Sequence, residues 1–169
     1  MIFTSDHGYH LGEHDFWAKV SLLDESSGVP LIIRVPGKEP AVCHSLTELL
    51  DLYPTLSSLC GLPTQDRLQG KDISPMFDDP EYTVRDTVFS VAPMRKGFLL
   101  RTDDWAYIQY NEDASGGIEL FDINKDPGQY TNLALNPEYA STVDRFKAQL
   151  AEKLKDVRDN DLDLPKAVN

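Results

Sequence analysis

The chain has 169 residues, a formal net charge of −12 and a sequence pI near 4.6, which argues against nucleic acid as a partner because phosphate binding wants a basic face. Hydrophobic residues make up 41% and charged residues 26%, an ordinary globular balance for one domain or parts of two. No apolar run approaches the ~18 residues of a membrane span, so no membrane partner is expected, and the strand-like start lacks the charged region of a signal peptide.

Taken in chain order, residues 1–4 ("MIFT") predict the end of a buried strand, being short, apolar and partly β-branched. Residues 5–19 form a loop rich in Gly and His. Residues 30–35 ("PLIIRV") predict a second buried strand, stopped by Pro36-Gly37. Residues 45–52 ("SLTELLDL") suit a strand or a helix equally. Pro54 fits an early helical position, and the helix should end at Gly61. Residues 62–80 read as irregular. Cys43 and Cys60 show neither metal-site spacing nor a disulfide framework, and both are expected to be buried small hydrophobes.

After about residue 84 the pattern changes. "DTVFSV", "GFLLRT", "WAYIQY" and "GIELFDI" predict four strands, with turns at Asp103-Asp104 and at residues 115–117. Asn136 is the expected N-cap of a following helix, with Pro137 in its first position. Ala140, Val143, Phe146, Leu150, Leu154 and Val157 step by three or four and form one apolar stripe, which should cover a face of the small antiparallel sheet. Trp105 and Tyr107, two apart, should share the face that meets this stripe. The tail beyond Val157 is expected to be frayed.

Chemistry gathers at the front of the chain. Asp6 and His7 lie just past the end of the first predicted strand, where open α/β sheets place ligand sites. Asp supplies a hard carboxylate, His a neutral nitrogen, and Lys19 a mobile charge for an oxyanion. From residue types alone the alternatives stay open. An Asp-His pair in a Gly loop is also a common Asx turn. His10, Glu13 and His14 nearby offer a transition-metal cluster, and Lys19 alone reads as a surface lysine.

The stretch "FTSDHGYHLGEHDFWAK" resembles the late active-site segment of the type I sulfatases, in the alkaline-phosphatase-like superfamily, and most resembles the iduronate-2-sulfatase-like branch. The likeness continues in order through "GVPLIIRVPG", "ELLDLYPTLSSLCGLP", "LQGKDISPMF" and "LLRTDDWAYIQY". It ends in "ELFDINKDPGQYTNLA", which is similar to the family's L-Y-D-L-x-x-D-P-x-E-x-x-N-L run.

The resemblance implies an α/β (α+β) chain. Residues 1–83 would be the back part of the sulfatase catalytic core, and residues 84–169 a subdomain with a four-stranded antiparallel sheet and one packed helix. It implies that Asp6 and His7 are metal ligands, normally for calcium. Lys19 would be the catalytic lysine that contacts the sulfate, with Tyr9, His10, His14 and Trp17 bordering the substrate. The implied substrate is a sulfate ester on a carbohydrate or other small molecule, and the implied compartment of the parent enzyme is periplasmic or secreted.

One part of the pattern is missing. The family's nucleophile is a formylglycine made from a C/S-x-P/A-x-R motif, and here Cys43 precedes "HSLT" and Cys60 precedes "GLPT". The chain therefore resembles the C-terminal portion of such an enzyme and is expected to be inactive alone, with an incomplete calcium site. A core edge left uncovered should favour self-association. A phosphatase or phosphodiesterase of the same superfamily, or a non-catalytic binding fragment, are the competing expectations.

Overall fold

The computed structural model describes residues 1–92 and 96–159. Strand β1 (Ile2–Thr4) pairs antiparallel with β2 (Leu31–Ile33), and between them lies the single helical turn α1 (Asp24–Ser27). Helix α2 (Leu52–Leu59) follows. Strands β3 (Val88–Ala92), β4 (Gly97–Arg101), β5 (Trp105–Tyr110) and β6 (Ile118–Asp122) then form one antiparallel sheet in sequential order. Helix α3 (Ala140–Arg158) closes the described chain. Residues 160–169, most of the expected frayed tail, lie outside the described residues.

The four strands and the last helix form where the sequence places them. Asn136 Oδ1 accepts the Glu138 backbone N–H at 3.1 Å, and Pro137 opens the short 3-10 turn that runs into α3. Val143, Phe146, Leu150 and Leu154 are buried against Leu100, Tyr107 and Leu120, with Trp105 at the margin. Ala140 stays exposed and Val157 half-buried, so the stripe is effective only over its middle turns.

The other sheet face is buried too. Leu99, Ala106, Ile108 and Phe121 pack with Leu22, which precedes α1. This explains why β4 and β5 lack a polar alternation: both faces have neighbours. It also brings the sheet up against the front loop. Phe146 is wholly buried and stacks on Tyr107 with ring centroids 5.5 Å apart. Phe146→Ala should cost about 3–5 kcal/mol in urea unfolding, and a loss below about 1 kcal/mol would remove it from the core.

Two expectations are corrected and one open alternative is resolved. The two front strands are not buried: the cross-strand pair Phe3 and Ile32 is 59% and 57% exposed, because a lone pair of three-residue strands has nothing over that face. The open alternative at residues 45–52 resolves as a 3-10 turn, Leu49–Asp51, leading directly into α2. Both cysteines are free, with Cys43 only half-buried in an irregular segment and Cys60 exposed just past the end of α2. The stop of α2 is as expected: Gly61 has φ +66°, and the Leu62 N–H donates to the Ser57 carbonyl at 2.8 Å.

Candidate active site

The end of β1 delivers Asp6 and His7 to the mouth of a cleft of about 600 Å³, lined also by Lys19, Ser26, Glu48 and Arg101. His7 Nδ1 lies 2.7 Å from the Gly8 carbonyl oxygen. A carbonyl only accepts, so Nδ1 carries the hydrogen and the neutral ring keeps its lone pair on Nε2. That nitrogen is 3.7 Å from Asp6 Oδ2. Two ligands bonded at about 2.3–2.6 Å to one cation stand roughly this far apart, so the pair fits two positions around a divalent ion. Among the described residues no third His, Cys, Asp or Glu joins them, and the His10–Glu13–His14 metal grouping does not form.

Gly8 is required by a close approach. A Cβ there would fall 2.0 Å from the Glu25 carbonyl oxygen, and the Gly8 N–H donates to the Ser26 carbonyl at 2.8 Å. Helix α1 is thereby pressed against the root of the site. The Ser26 hydroxyl donates to the Lys19 carbonyl, fixing the other end of the loop.

Between these ends the chain doubles back. The His10 N–H donates to the Ala18 carbonyl at 2.9 Å, and the Gly12 N–H to the Phe16 carbonyl at 3.3 Å. Residues 12–15 make the turn, with Gly12 at φ +128°, His14 at +56° and Asp15 at +54°. The Glu13 carboxylate accepts the Leu11 N–H at 2.7 Å, and its pKa is held low by backbone N–H groups, its own and that of Leu11.

The expected substrate-facing residues separate in this hairpin. His10 is completely buried, bonded to Ser21 Oγ at 2.7 Å and edge-on to Phe16, so it holds the loop's inner side and has no surface to offer a substrate. His14 stacks on Tyr130 at 4.6 Å and lies 3.5 Å from Glu25. Tyr9 and Trp17 are 51% and 69% exposed. Lys19 is exposed at the cleft, and its ammonium has no hydrogen bond or ion pair among the described residues.

Gln129 was missed from the sequence. It is 2% exposed, sits at φ +57°, and lies beside α1. Its Oε1 accepts the Asp24 N–H at 2.8 Å, while its Nε2 donates to Asp24 Oδ1 at 3.4 Å. Arg101 donates to the same carboxylate at 3.2–3.3 Å. The signal was the Gln in "DPGQYTNL", where the resembled run has Glu. An amide accepts and donates at once, whereas a carboxylate here would face the Asp24 carboxylate.

Residues 12–156 match the family model for the C-terminal region of N-sulphoglucosamine sulphohydrolase. The chain belongs to this sulfatase family. It is 33% identical over 158 residues to arylsulfatase K of Bos taurus, a match that covers 86% of this chain and 29% of that protein. The chain thus spans about three tenths of the length of that relative. Among solved structures, a 2-O GAG sulfatase superposes with a TM-score of 0.81 at 28% identity, over 94% of this chain and 36% of that one. The phosphonate monoester hydrolase of Silicibacter pomeroyi superposes with a TM-score of 0.83 at 26% identity, over 96% and 36%.

Proposed function

We propose that this chain provides the late part of a sulfatase active site, in which Asp6, His7 and Lys19 act on a sulfate ester carried by a sugar. The observation that carries the reading is the convergence of these three side chains on one cleft in a sulfatase-family chain. The Lys19 ammonium, free of any partner among the described residues, is available to the ester oxygen that gains charge as the S–O bond breaks. Asp6 Oδ2 and His7 Nε2 would hold two positions of a calcium ion, and Gly8 keeps the His7 tautomer that leaves Nε2 available. When bound, such an ion supplies Lewis-acid stabilisation of the sulfate oxygens.

The proposed ester position is the 2-O of a uronate such as iduronate. Its supports are the resemblance of the 1–19 segment to the iduronate-2-sulfatase-like branch and the likeness to a 2-O GAG sulfatase. The proposed compartment of the parent enzyme is periplasmic or secreted. The exposed Phe3–Ile32 face is the proposed surface for self-association of this chain. A second reading, hydrolysis of a phosphate or phosphonate ester at the same residues, draws on the likeness to the phosphonate monoester hydrolase.

The chain contains no cysteine or serine in the C/S-x-P/A-x-R context, so it lacks a formylglycine nucleophile of its own. Assays of aryl sulfate, phosphate and phosphonate esters, run on this chain and on a full-length parent, test the proposal. The expected result is no turnover by the chain and preferred sulfate hydrolysis by the parent. Calcium binding to the chain, read by calorimetry, should be weaker than about 10 μM, since tight sites gather 6–8 oxygens. Turnover by the purified chain, or preferred phosphonate hydrolysis by the parent, would overturn it.

A further inference from the structure

We propose that Gln129 is a positioning residue for the candidate site, acting on His7 and Lys19 through α1 from the far end of the chain. This deepens the sulfatase reading above and rests on it for the chemistry that the hold serves.

The two loop ends that carry the site meet in one residue. The Ser26 carbonyl accepts the Gly8 N–H at 2.8 Å, next to His7, and the Ser26 hydroxyl donates to the Lys19 carbonyl. Ser26 is buried in α1, so the place of that one helical turn sets the spacing between the Asp6–His7 pair and the lysine. Four residues do not hold a helix in place by themselves. Nor does α1 cap its own start. Leu23 stands at the N-cap, where Ser, Thr, Asp or Asn would supply an acceptor, and its side chain has none.

Gln129 supplies the acceptor from 105 positions away. Its Oε1 takes the Asp24 N–H, one of the free donors of a first helical turn, at 2.8 Å, and its Nε2 reaches Asp24 Oδ1 at 3.4 Å. Arg101 of β4 grips the Asp24 carboxylate at 3.2–3.3 Å. The shorter bond is the one to the backbone of α1, and Gln129 makes it.

The anchor is itself fixed. The Gln129 N–H donates to the Asp126 carbonyl at 3.0 Å, and the Thr131 N–H to Asp126 Oδ2 at 2.6 Å. Asn132 Oδ1 accepts the Leu120 N–H at 3.1 Å, and the Leu133 N–H donates to the Leu120 carbonyl at 2.8 Å, so the segment is tied along β6. Gln129 has a left-handed backbone, φ +57°, which a non-glycine residue adopts at a cost, and its side chain is buried to 2% exposure. Tyr130 beside it stacks on His14 at the turn of the hairpin, with ring centroids 4.6 Å apart. Adjacent residues of one segment therefore hold α1 and the tip of the loop. A leucine of similar volume would serve packing alone. The amide serves the N–H of α1 and, through α1, the site.

Native-state amide exchange on the full chain reads this hold directly. In Gln129→Ala, protection of the Gly8 amide should fall by about tenfold, the size of a lost helix cap, while the amides of β5 keep theirs. Gln129→Glu keeps the volume but sets a carboxylate against that of Asp24, and should lower Gly8 protection as well. The double variant D24N/Q129E exchanges amide and carboxylate, leaves one charge for Arg101, and should restore the protection, which a packing role alone does not predict. Gln129→Glu and the double variant carry the test if Gln129→Ala does not fold. In a full-length parent, Gln129→Ala should lower kcat by about tenfold with KM moving less, because Lys19 is misplaced and not removed. Gly8 protection unchanged in the single variants, or lost together with that of β5, would overturn the hold. So would a double variant no better than Gln129→Glu, or an unchanged kcat in the parent. The ester that the parent prefers bears only on the sulfatase reading: these losses found in a parent that prefers phosphonate would sink that reading and leave the hold standing.

Discussion

In a full-length parent enzyme, Lys19→Ala is expected to lower kcat by about 100- to 1000-fold, the usual loss when one preorganised donor to a developing oxyanion is removed. Two features of the site lead to this size. The Lys19 ammonium stands at the cleft with no ion pair or hydrogen bond among the described residues, so no internal carboxylate competes for it. Its backbone is nonetheless fixed, because the Ser26 hydroxyl donates to its carbonyl and α1 is pressed against Gly8. A cation on a fixed stem beside the bridging oxygen interacts most strongly once negative charge has gathered on that oxygen, which happens in the transition state and not in the bound ester. The fall should therefore be in kcat, with KM moving less. Lys19→Arg should recover only part of the rate, since a planar guanidinium cannot occupy the point position of an ammonium. Steady-state kinetics on an aryl sulfate decides the matter, and an unchanged kcat would return Lys19 to the status of a surface charge.

The parts of this molecule that were legible in its sequence are those fixed by local rules. The strand runs between residues 88 and 122 and the cap at Asn136 declare themselves through turn residues and capping chemistry, and the α3 stripe through its period. Asp6, His7 and Lys19 stand out in the sequence through the family resemblance and not through a local rule, and in the structure all three line one cleft. What was not legible depends on contacts distant in sequence. Nothing in "MIFT" or "PLIIRV" says that the two strands pair only with each other and leave Phe3 and Ile32 in water. His10, His14 and Trp17 look alike as loop residues. The hairpin register divides them, enclosing His10 while Trp17 stays open. Gln129 acts on Asp24, 105 positions away, and only its departure from the Glu of the resembled run hinted at it.

Asp51→Ala is expected to destabilise the chain by about 3–5 kcal/mol, the cost of leaving a buried charge without its partner. Asp51 is completely enclosed at the entry to α2. Its carboxylate accepts Arg85 Nη2 at 2.6 Å, a second guanidinium contact from Nη1, and the backbone N–H groups of Glu48 and Lys71, both at 2.7 Å. Glu48 in turn accepts the Phe89 N–H at 2.7 Å, so one cluster ties the start of α2 to the segment before Ile73 and to β3. Removing the carboxylate orphans four donors at once and leaves the Arg85 guanidinium with Glu48 at 3.7 Å as its remaining acidic partner among the described residues. The same cluster sets a pH dependence. Burial opposes the charged form of Asp51, but the Arg85 guanidinium and the two backbone donors outweigh it, and the pKa is lowered below its ordinary value. A lowered folded-state pKa means that the unfolded chain binds the proton more readily. The stabilisation is then complete above the unfolded value of about 3.9 and is lost as pH falls through the folded one. Urea unfolding from pH 6 downward should show stability falling most steeply below about pH 4. Asp51→Asn, which keeps the shape and removes the titration, should be less stable at pH 6 and should flatten that fall. If Asp51→Asn unfolds with the same acid slope as the native chain, the pH dependence belongs to other carboxylates and the cluster is not the tie between α2 and the sheet.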